Sequence, residues 1–203
     1  MMFFQDTRSV GLIFWIVVGL LLFNGAIAIV NVFSEGFVNL PEEVVDTRTY
    51  CLLMGAGSFL CAAVYAMNAH RVMSKRLTKA EVLRGYVMTV GLSVLLDGIF
   101  EGLATYLCVE DPKIGMIIAV IATVVGLVIV LMSLTIASGR KGLLTKVVWF
   151  LLIVSFVLMA VDALIPVDTW WDFIDNVAHL LIAFFMIAFI TDGEIRREMG
   201  VGS

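Results

Sequence analysis

Long runs of apolar residues, separated by short polar segments, dominate the pattern of this sequence. Six of the runs match the ~20 apolar residues that a helix needs to cross a hydrocarbon core ~30 Å thick. Their approximate bounds are 10–33, 51–69, 83–107, 114–137, 147–165 and 176–190. The pattern therefore predicts an all-α polytopic membrane helical bundle with six transmembrane helices, in a single integral membrane domain over residues 1–203.

Composition supports the same class. The 203 residues are 62% hydrophobic and 15% charged, whereas a soluble domain carries about a quarter charged residues. A net charge of -4 with 13 basic residues provides no phosphate-binding surface, which argues against nucleic acid and leaves the lipid bilayer as the expected partner. We expect the first run to remain as an uncleaved span, because it continues well past the apolar region of a signal peptide.

The distribution of basic residues predicts the orientation. Eleven of the thirteen lysines and arginines fall in segments that lie on one side of the membrane, whereas Arg48 and Lys113 fall on the other. The positive-inside rule therefore predicts cytoplasmic N and C termini in a multi-pass protein of the cell membrane. The eleven residues are Arg8, Arg71, Lys75, Arg76, Lys79, Arg84, Arg140, Lys141, Lys146, Arg196 and Arg197.

Two of the predicted spans carry acidic stripes. Asp97 and Glu101 are four residues apart in the third span, so they share one helix face. In the sixth span Asp172, Asp175 and His179 are spaced three and four residues apart, again on one face. A charged side chain at the centre of a spanning helix costs about 2.5–3.5 kcal/mol on insertion scales, so these positions call for an explanation.

Polar residues in two further spans extend this pattern. Asn24 lies deep in the first span and Asp162 near the outer end of the fifth. Charges do not face lipid, so we expect the stripes to converge on a water-accessible pocket open to the outer side. Gly98 and Gly102, beside the acidic stripe, would let a neighbouring helix approach closely. The predicted ion- or proton-binding residues are Asp97, Glu101, Asp175, His179 and Asn24, with Asp162 and Asp172 lining the approach.

Clustered carboxylates repel one another in a medium of low dielectric constant. Either one of them holds a proton, or a cation neutralises the group. The first outcome predicts a proton-coupled site, and the second predicts an ion site with oxygen ligands and one imidazole. The sequence therefore does not identify a cofactor, and a bound cation is one candidate. If a metal binds, its predicted ligands are Glu101, His179 and Asp175.

The same polar residues also have structural interpretations. Asp172 and Asp175 could cap the start of the sixth helix, where carboxylates are favoured. His179 could be a packed, hydrogen-bonded side chain, and Asp162 is most simply explained by a position at the interface. The acidic pair of the third span fits a structural role least well, because buried intramembrane acids are usually functional.

The histidines and cysteines limit the possible chemistry. His70 and His179 are predicted near opposite membrane surfaces, so one chain cannot hold a haem with both, nor build a three-histidine zinc site. Cys51 and Cys108 both fall at the outer boundary and could form a disulfide if that side is oxidising. Cys61 is mid-span and is expected to be a packing residue. Walker A, nucleophile-elbow, HExxH and CxxC motifs are absent from the sequence.

Three functions fit this pattern. The leading hypothesis is a small ion- or proton-coupled carrier with an acidic intramembrane site. A non-catalytic subunit or assembly factor of a larger membrane complex is the second, in which a second copy or another membrane protein would be the partner. An intramembrane enzyme acting on a lipid or isoprenoid is the third, so catalysis is less expected than transport. One feature counts against the carrier: the inner half holds only neutral polar groups, among them Ser93, Tyr65 and Asn68.

Overall fold

The computed structural model describes residues 7–34, 40, 43–136, 142–167 and 170–201 of the chain, without the side chains of Thr7, Trp170 and Trp171. These residues form helices joined by short connections, with one isolated antiparallel bridge between Val44 and Val109. The helices are α1 (Thr7–Phe33), α2 (Thr47–Ser74), α3 (Lys79–Cys108), α4 (Lys113–Ile136), α5 (Leu143–Asp162), α6 (Trp170–Ile190) and α7 (Gly193–Glu198).

Helices α1 to α6 are each long and apolar enough to cross a membrane. The predicted multi-pass helical architecture is therefore confirmed. The helices alternate in direction, so the bundle has two ends. We call the end where α1 starts and α6 finishes the termini end, and the other the acidic end. The described members of the basic set lie toward the termini end, and Arg140 and Lys141 lie outside the described residues.

Helices α2 and α3 begin before their apolar runs because polar caps start them earlier. The Asp46 carboxylate accepts a hydrogen bond from the Thr49 N–H at 3.2 Å and caps α2. Thr78 and Glu81 form a capping box at the start of α3, in which each side chain accepts from the other residue's backbone. Capping satisfies N–H groups that a helix start leaves without partners.

The end of α5 and the start of α6 differ more from the bounds of the predicted spans. Helix α5 ends at Asp162 rather than near residue 165, since Pro166 disfavours helical backbone at the residue before it. Helix α6 begins at Trp170, six residues before the predicted span, because the apolar run leaves out the polar first turns of the helix. This earlier start sets the depth of each side chain on α6.

Helices that follow one another in the chain pack side by side from α1 to α4. Helix α6 packs against both α1 and α5 and closes the bundle. Helices α4 and α5 touch only sparsely, so the bundle is least tightly closed between them.

Glycines bring α3 and α4 into backbone contact. A Cβ atom added at Gly98 would lie 2.6 Å from the Thr123 backbone nitrogen, and one added at Gly126 would overlap the Leu95 backbone nitrogen. At Gly102 the nearest atom would be the Ala119 Cβ at 3.3 Å. The close approach predicted from Gly98 and Gly102 is therefore confirmed, and α4 is the helix that approaches.

The termini half of the bundle is filled by packed aromatic rings. Phe14 contacts Tyr65 and Tyr86 edge to face, with ring centroids 5.4 and 4.3 Å apart. Tyr86 in turn contacts Phe189 at 5.7 Å. These four residues, here called the aromatic cluster, come from α1, α2, α3 and α6 and are almost fully buried.

An ion-pair network fixes α7 to the start of α3. The Lys79 ammonium lies 3.1 Å from the Asp192 carboxylate and 3.1 Å from that of Glu194. Asp192 also caps α7 by accepting from the Glu194 N–H at 2.9 Å. Nearby, the Trp149 indole donates to the Ile190 carbonyl at 3.0 Å and joins α5 to the end of α6.

Candidate functional site

A cavity of about 900 Å³ extends into the bundle from its acidic half. All six long helices contribute to its wall. The side formed by α4 is entirely apolar, and that of α5 is mostly so, whereas the polar side chains come chiefly from α2, α3 and α6. Every one of the seven residues predicted to bind or admit an ion lines this single cavity: Asn24, Asp97, Glu101, Asp162, Asp172, Asp175 and His179.

Three potential ligand groups lie closest together at the centre of this set. One ligand atom each from Asp97, Asp175 and His179 lies within 4.8 Å of the others, and all three residues are half-buried. Nδ1 of His179 is 3.3 Å from Oδ2 of Asp175, one helical turn away on α6. We call these three residues the Asp97 cluster. Two carboxylates and one imidazole at this separation are a set that a metal ion could bridge.

Of the predicted metal ligands, the structure groups Asp175 and His179 with Asp97 rather than with Glu101. The reason is the early start of α6. His179 lies nine residues from the first residue of α6, about 14 Å deep at ~1.5 Å per residue. Asp97 lies eleven residues from the end of α3, about 16 Å deep on the same scale.

The remaining carboxylates continue from this cluster toward the acidic end. Glu101 is half-buried, one turn from Asp97, and near enough to Asp172 and Asp175 for their charges to repel. Asp172 and Asp162 are exposed, at the first turn of α6 and the last residue of α5. Acidic groups thus run without interruption from the exposed rim of the cavity to its half-buried centre.

Asn24 lines the same cavity and carries an unsatisfied buried group. Its side chain is 8% exposed, and its Oδ1 atom has no hydrogen-bond partner in the structure. A buried acceptor without a donor costs about 1–3 kcal/mol. A bound cation, a polar hydrogen of a ligand or a water molecule would satisfy it, so Asn24 is suited to complete the coordination of an occupant.

Sequence reasoning missed one contact within the site. Cys61, expected to be a packing residue, donates its thiol hydrogen to Oδ1 of Asp97 at 3.4 Å and approaches the Ser93 carbonyl at 3.7 Å. Tyr50 and Ser58, also on α2, line the cavity and were not predicted to do so. Only the packing of α2 against α3 reveals these contacts, because Cys61 lies in an otherwise apolar stretch.

The disulfide that Cys51 and Cys108 could form is not present in the structure. Both cysteines are buried, and both are free thiols. Cys51 lies against α1, where its sulfur accepts a hydrogen bond from the Asn31 amide at 3.3 Å. The connections at the acidic end are instead joined by backbone bonds, such as that from the Val45 N–H to the Cys108 carbonyl at 2.8 Å.

The cavity also reaches the lipid-facing surface between α4 and α5. Ile121 on α4 and Leu158 on α5 line it, yet they are 57% and 61% exposed. Because these helices touch only sparsely, the cavity has an apolar opening at the side of the bundle as well as an acidic rim.

The charge of the lining favours a positively charged occupant. Five carboxylates line the cavity, and none of the lysines or arginines among the described residues does so. Such a one-sided set of charges in a low-dielectric wall attracts cations and repels anions. The chain was compared with protein-family models, with curated proteins and with solved structures, and none of these comparisons gives a match.

Proposed function

We propose that this chain is a small carrier of the cell membrane, coupled to a cation or proton that binds at the Asp97 cluster. One observation carries the proposal: two carboxylates and an imidazole from α3 and α6 meet within 4.8 Å inside a cavity of the membrane-spanning region. Isolated charges at such depth are costly, and grouped acids there typically mark ion or proton pathways.

The chemistry of the cluster explains why an ion would bind. Two half-buried carboxylates repel one another, and Glu101 adds a third negative charge one turn away. A proton or a cation that neutralises this group would be held by electrostatic attraction to the carboxylates. The Asn24 oxygen would be available as a further ligand. Oxygen donors with one imidazole suit divalent ions such as Mn²⁺ or Zn²⁺.

Of the two ends of the bundle, only the acidic end gives access to the cluster, and a carrier requires such asymmetry in each of its states. The cavity opens at the acidic end, whereas the aromatic cluster fills the termini half. In the proposed cycle the ion binds from the acidic end, and separation of the aromatic rings then exposes it to the termini end. The basic residues favour an orientation with the termini end in the cytoplasm.

Flux in reconstituted vesicles tests this function. We expect purified protein to transport protons or Mn²⁺ down an imposed gradient, and we expect Asp97→Asn to lose at least nine-tenths of that flux. Asp111→Asn is the matched control, because Asp111 is an exposed carboxylate that does not line the cavity. Equal flux for wild type and Asp97→Asn, at equal amounts of folded protein, would overturn the proposal.

The side opening favours a second candidate, an intramembrane enzyme that acts on a lipid or isoprenoid. Such a substrate would reach the carboxylates between α4 and α5, and His179 with Asp175 would act as an acid–base pair beside a metal-bound water. This candidate predicts that purified protein converts extracted membrane lipids in detergent, without any gradient. Mass spectrometry of the extract would detect the product, and an unchanged lipid profile would exclude the enzyme.

A further inference from the structure

We infer that the cavity takes an amphiphilic organic cation, with its charge at the Asp97 cluster and its apolar part against α4 and α5. This inference rests on the proposed carrier function and names its substrate class. The coupling proton or inorganic ion and the organic cation would then compete for the same carboxylates, which is one way for a carrier to exchange them.

The volume of the cavity is the first argument. Pockets for drug-sized molecules span about 300–1,000 Å³, and this cavity measures about 900 Å³. A metal ion or proton at the Asp97 cluster would occupy only a small part of that space. The rest would be left to water or to the apolar part of a larger molecule.

The division of the wall into two chemistries is the second argument. The α4 side consists of the apolar residues Ile118, Ile121, Ala122, Val125 and Ile129. The acidic residues come instead from α3 and α6, with Asp162 from α5. A molecule with one positive charge and an apolar body matches both parts of the wall at once, whereas an anion matches neither.

Asn24 and the aromatic side chains supply an independent indication of a ligand. Asn24 lines the cavity, is more than nine-tenths buried, and has an Oδ1 atom without a hydrogen-bond partner. It can accept a polar hydrogen or lie against a positive charge. Tyr50, Phe100 and Phe156 also line the cavity, and aromatic faces attract organic cations.

The side opening gives such a molecule a route. Amphiphilic cations partition into bilayers, and the gap between α4 and α5 joins the lipid-facing surface to the cavity. Exposed apolar residues on both helices form its edges, among them Ile121 and Leu158. The charged end would then move from the bilayer to the carboxylates without crossing the closed termini half.

Tetraphenylphosphonium is the probe, and tetraphenylborate, an anion of nearly the same size and shape, is its control. With the full chain in detergent, we expect the phosphonium to raise the melting temperature in a saturable manner and the borate not to do so. Asp97→Asn should abolish the rise. Val125→Trp, which fills the apolar side, should weaken phosphonium binding at least tenfold while the response to Mn²⁺ or protons stays as in wild type.

Val120→Trp is the matched control for Val125→Trp, since Val120 is an exposed α4 valine that does not line the cavity. If Val125→Trp fails to fold, Ile121→Trp serves as the second blocking variant. Absence of any Mn²⁺ or proton response in the wild-type protein would overturn the carrier itself. A cation response that depends on Asp97, without any phosphonium binding, would overturn only the present inference. Equal binding of phosphonium and borate would overturn it too, because it would indicate partitioning rather than a site.

Discussion

At the scale of single residues, Asn24 links a free-energy cost of folding most directly to the proposed function, because its amide oxygen is buried without a partner. It is buried in the wall of the cavity without a hydrogen-bond donor, an arrangement that is uncommon in folded proteins. Replacement by leucine keeps a side chain of similar volume and removes the unsatisfied acceptor. The substitution should therefore maintain or raise the stability of the ligand-free protein and weaken the binding of ligand.

We predict that Asn24→Leu leaves the melting temperature of the ligand-free protein unchanged or raises it, because up to about 1–3 kcal/mol of unsatisfied burial is removed. The additional rise produced by Mn²⁺ or phosphonium should shrink, with affinity reduced about tenfold, equivalent to ~1.4 kcal/mol. Asn31→Leu is the control. Asn31 donates to Cys51 outside the cavity, so its replacement should lower stability and leave ligand binding intact. Full ligand affinity in Asn24→Leu would exclude a role for this amide.

At the scale of the helix, the contact between α3 and α4 depends on positions where no side chain fits. We predict that Gly98→Ala destabilises the protein by about 1–3 kcal/mol, the usual cost of overpacking, because its Cβ would meet the Thr123 nitrogen at 2.6 Å. Gly19→Ala, in α1, is the control, since an added Cβ there meets nothing within 4 Å. Thermal melting in detergent measures both. Equal stability of the two variants would contradict the backbone contact.

A second prediction concerns α7 and pH. Burial acts to raise the pKa of Asp192, but hydrogen bonds from the Glu194 N–H and from Lys79 outweigh it, so the pKa lies below its ordinary value of 3.8. A lowered pKa stabilises the fold fully above the ordinary value and loses that contribution as pH falls through the lowered one. Asp192→Asn should therefore cost about 1 kcal/mol near neutral pH. The difference from wild type should narrow below pH 4, as melting across a pH series would reveal.

Glu194→Gln is the control for this pH dependence. The Glu194 side chain is 50% exposed, and exposed ion pairs contribute about 0–1 kcal/mol. We expect its melting curve to follow wild type within experimental error at every pH. A constant difference between Asp192→Asn and wild type down to pH 2 would show that the Asp192 carboxylate has no special role.

The positions of the spanning helices could be predicted from the sequence, whereas the contacts between side chains on different helices could not. Apolar runs reveal the helices because the bilayer imposes their length, and shared faces follow from spacing, as with Asp97 and Glu101. The meeting of Asp97 with His179 depends on where α6 begins, which polar residues outside its apolar run decide. The bond from Cys61 to Asp97 depends on helix packing, for which a single sequence carries no local signal.

At the scale of the whole molecule, the bundle has one closed half and one open half. The aromatic cluster closes the termini half, and the carboxylates line a cavity that opens at the acidic end and at the side. Helix α4 has no ionisable residues after Lys113, yet it contributes to the site because it provides an apolar part of the cavity wall. Together the apolar and acidic parts of the wall are suited to a charged molecule with an apolar body.

Cysteine labelling tests this asymmetry directly. All three native cysteines are buried, so wild-type protein should react little with a membrane-impermeant maleimide and provides the background. Ser155→Cys places a thiol on the α5 side of the cavity, and we predict that it is labelled from the acidic end only. Ser133→Cys, whose residue is fully buried on α4 away from the cavity, should stay unlabelled.

Vesicles of known orientation turn the same measurement into a test of topology. If the termini end is cytoplasmic, as the basic residues predict, right-side-out vesicles should label at Ser155→Cys and inverted vesicles should not. Tetraphenylphosphonium should slow the labelling, because the probe and the maleimide would compete for one cavity. Labelling from the termini end alone would reverse the proposed direction of access. Labelling from both sides at equal rates would mean that the aromatic cluster does not close the bundle.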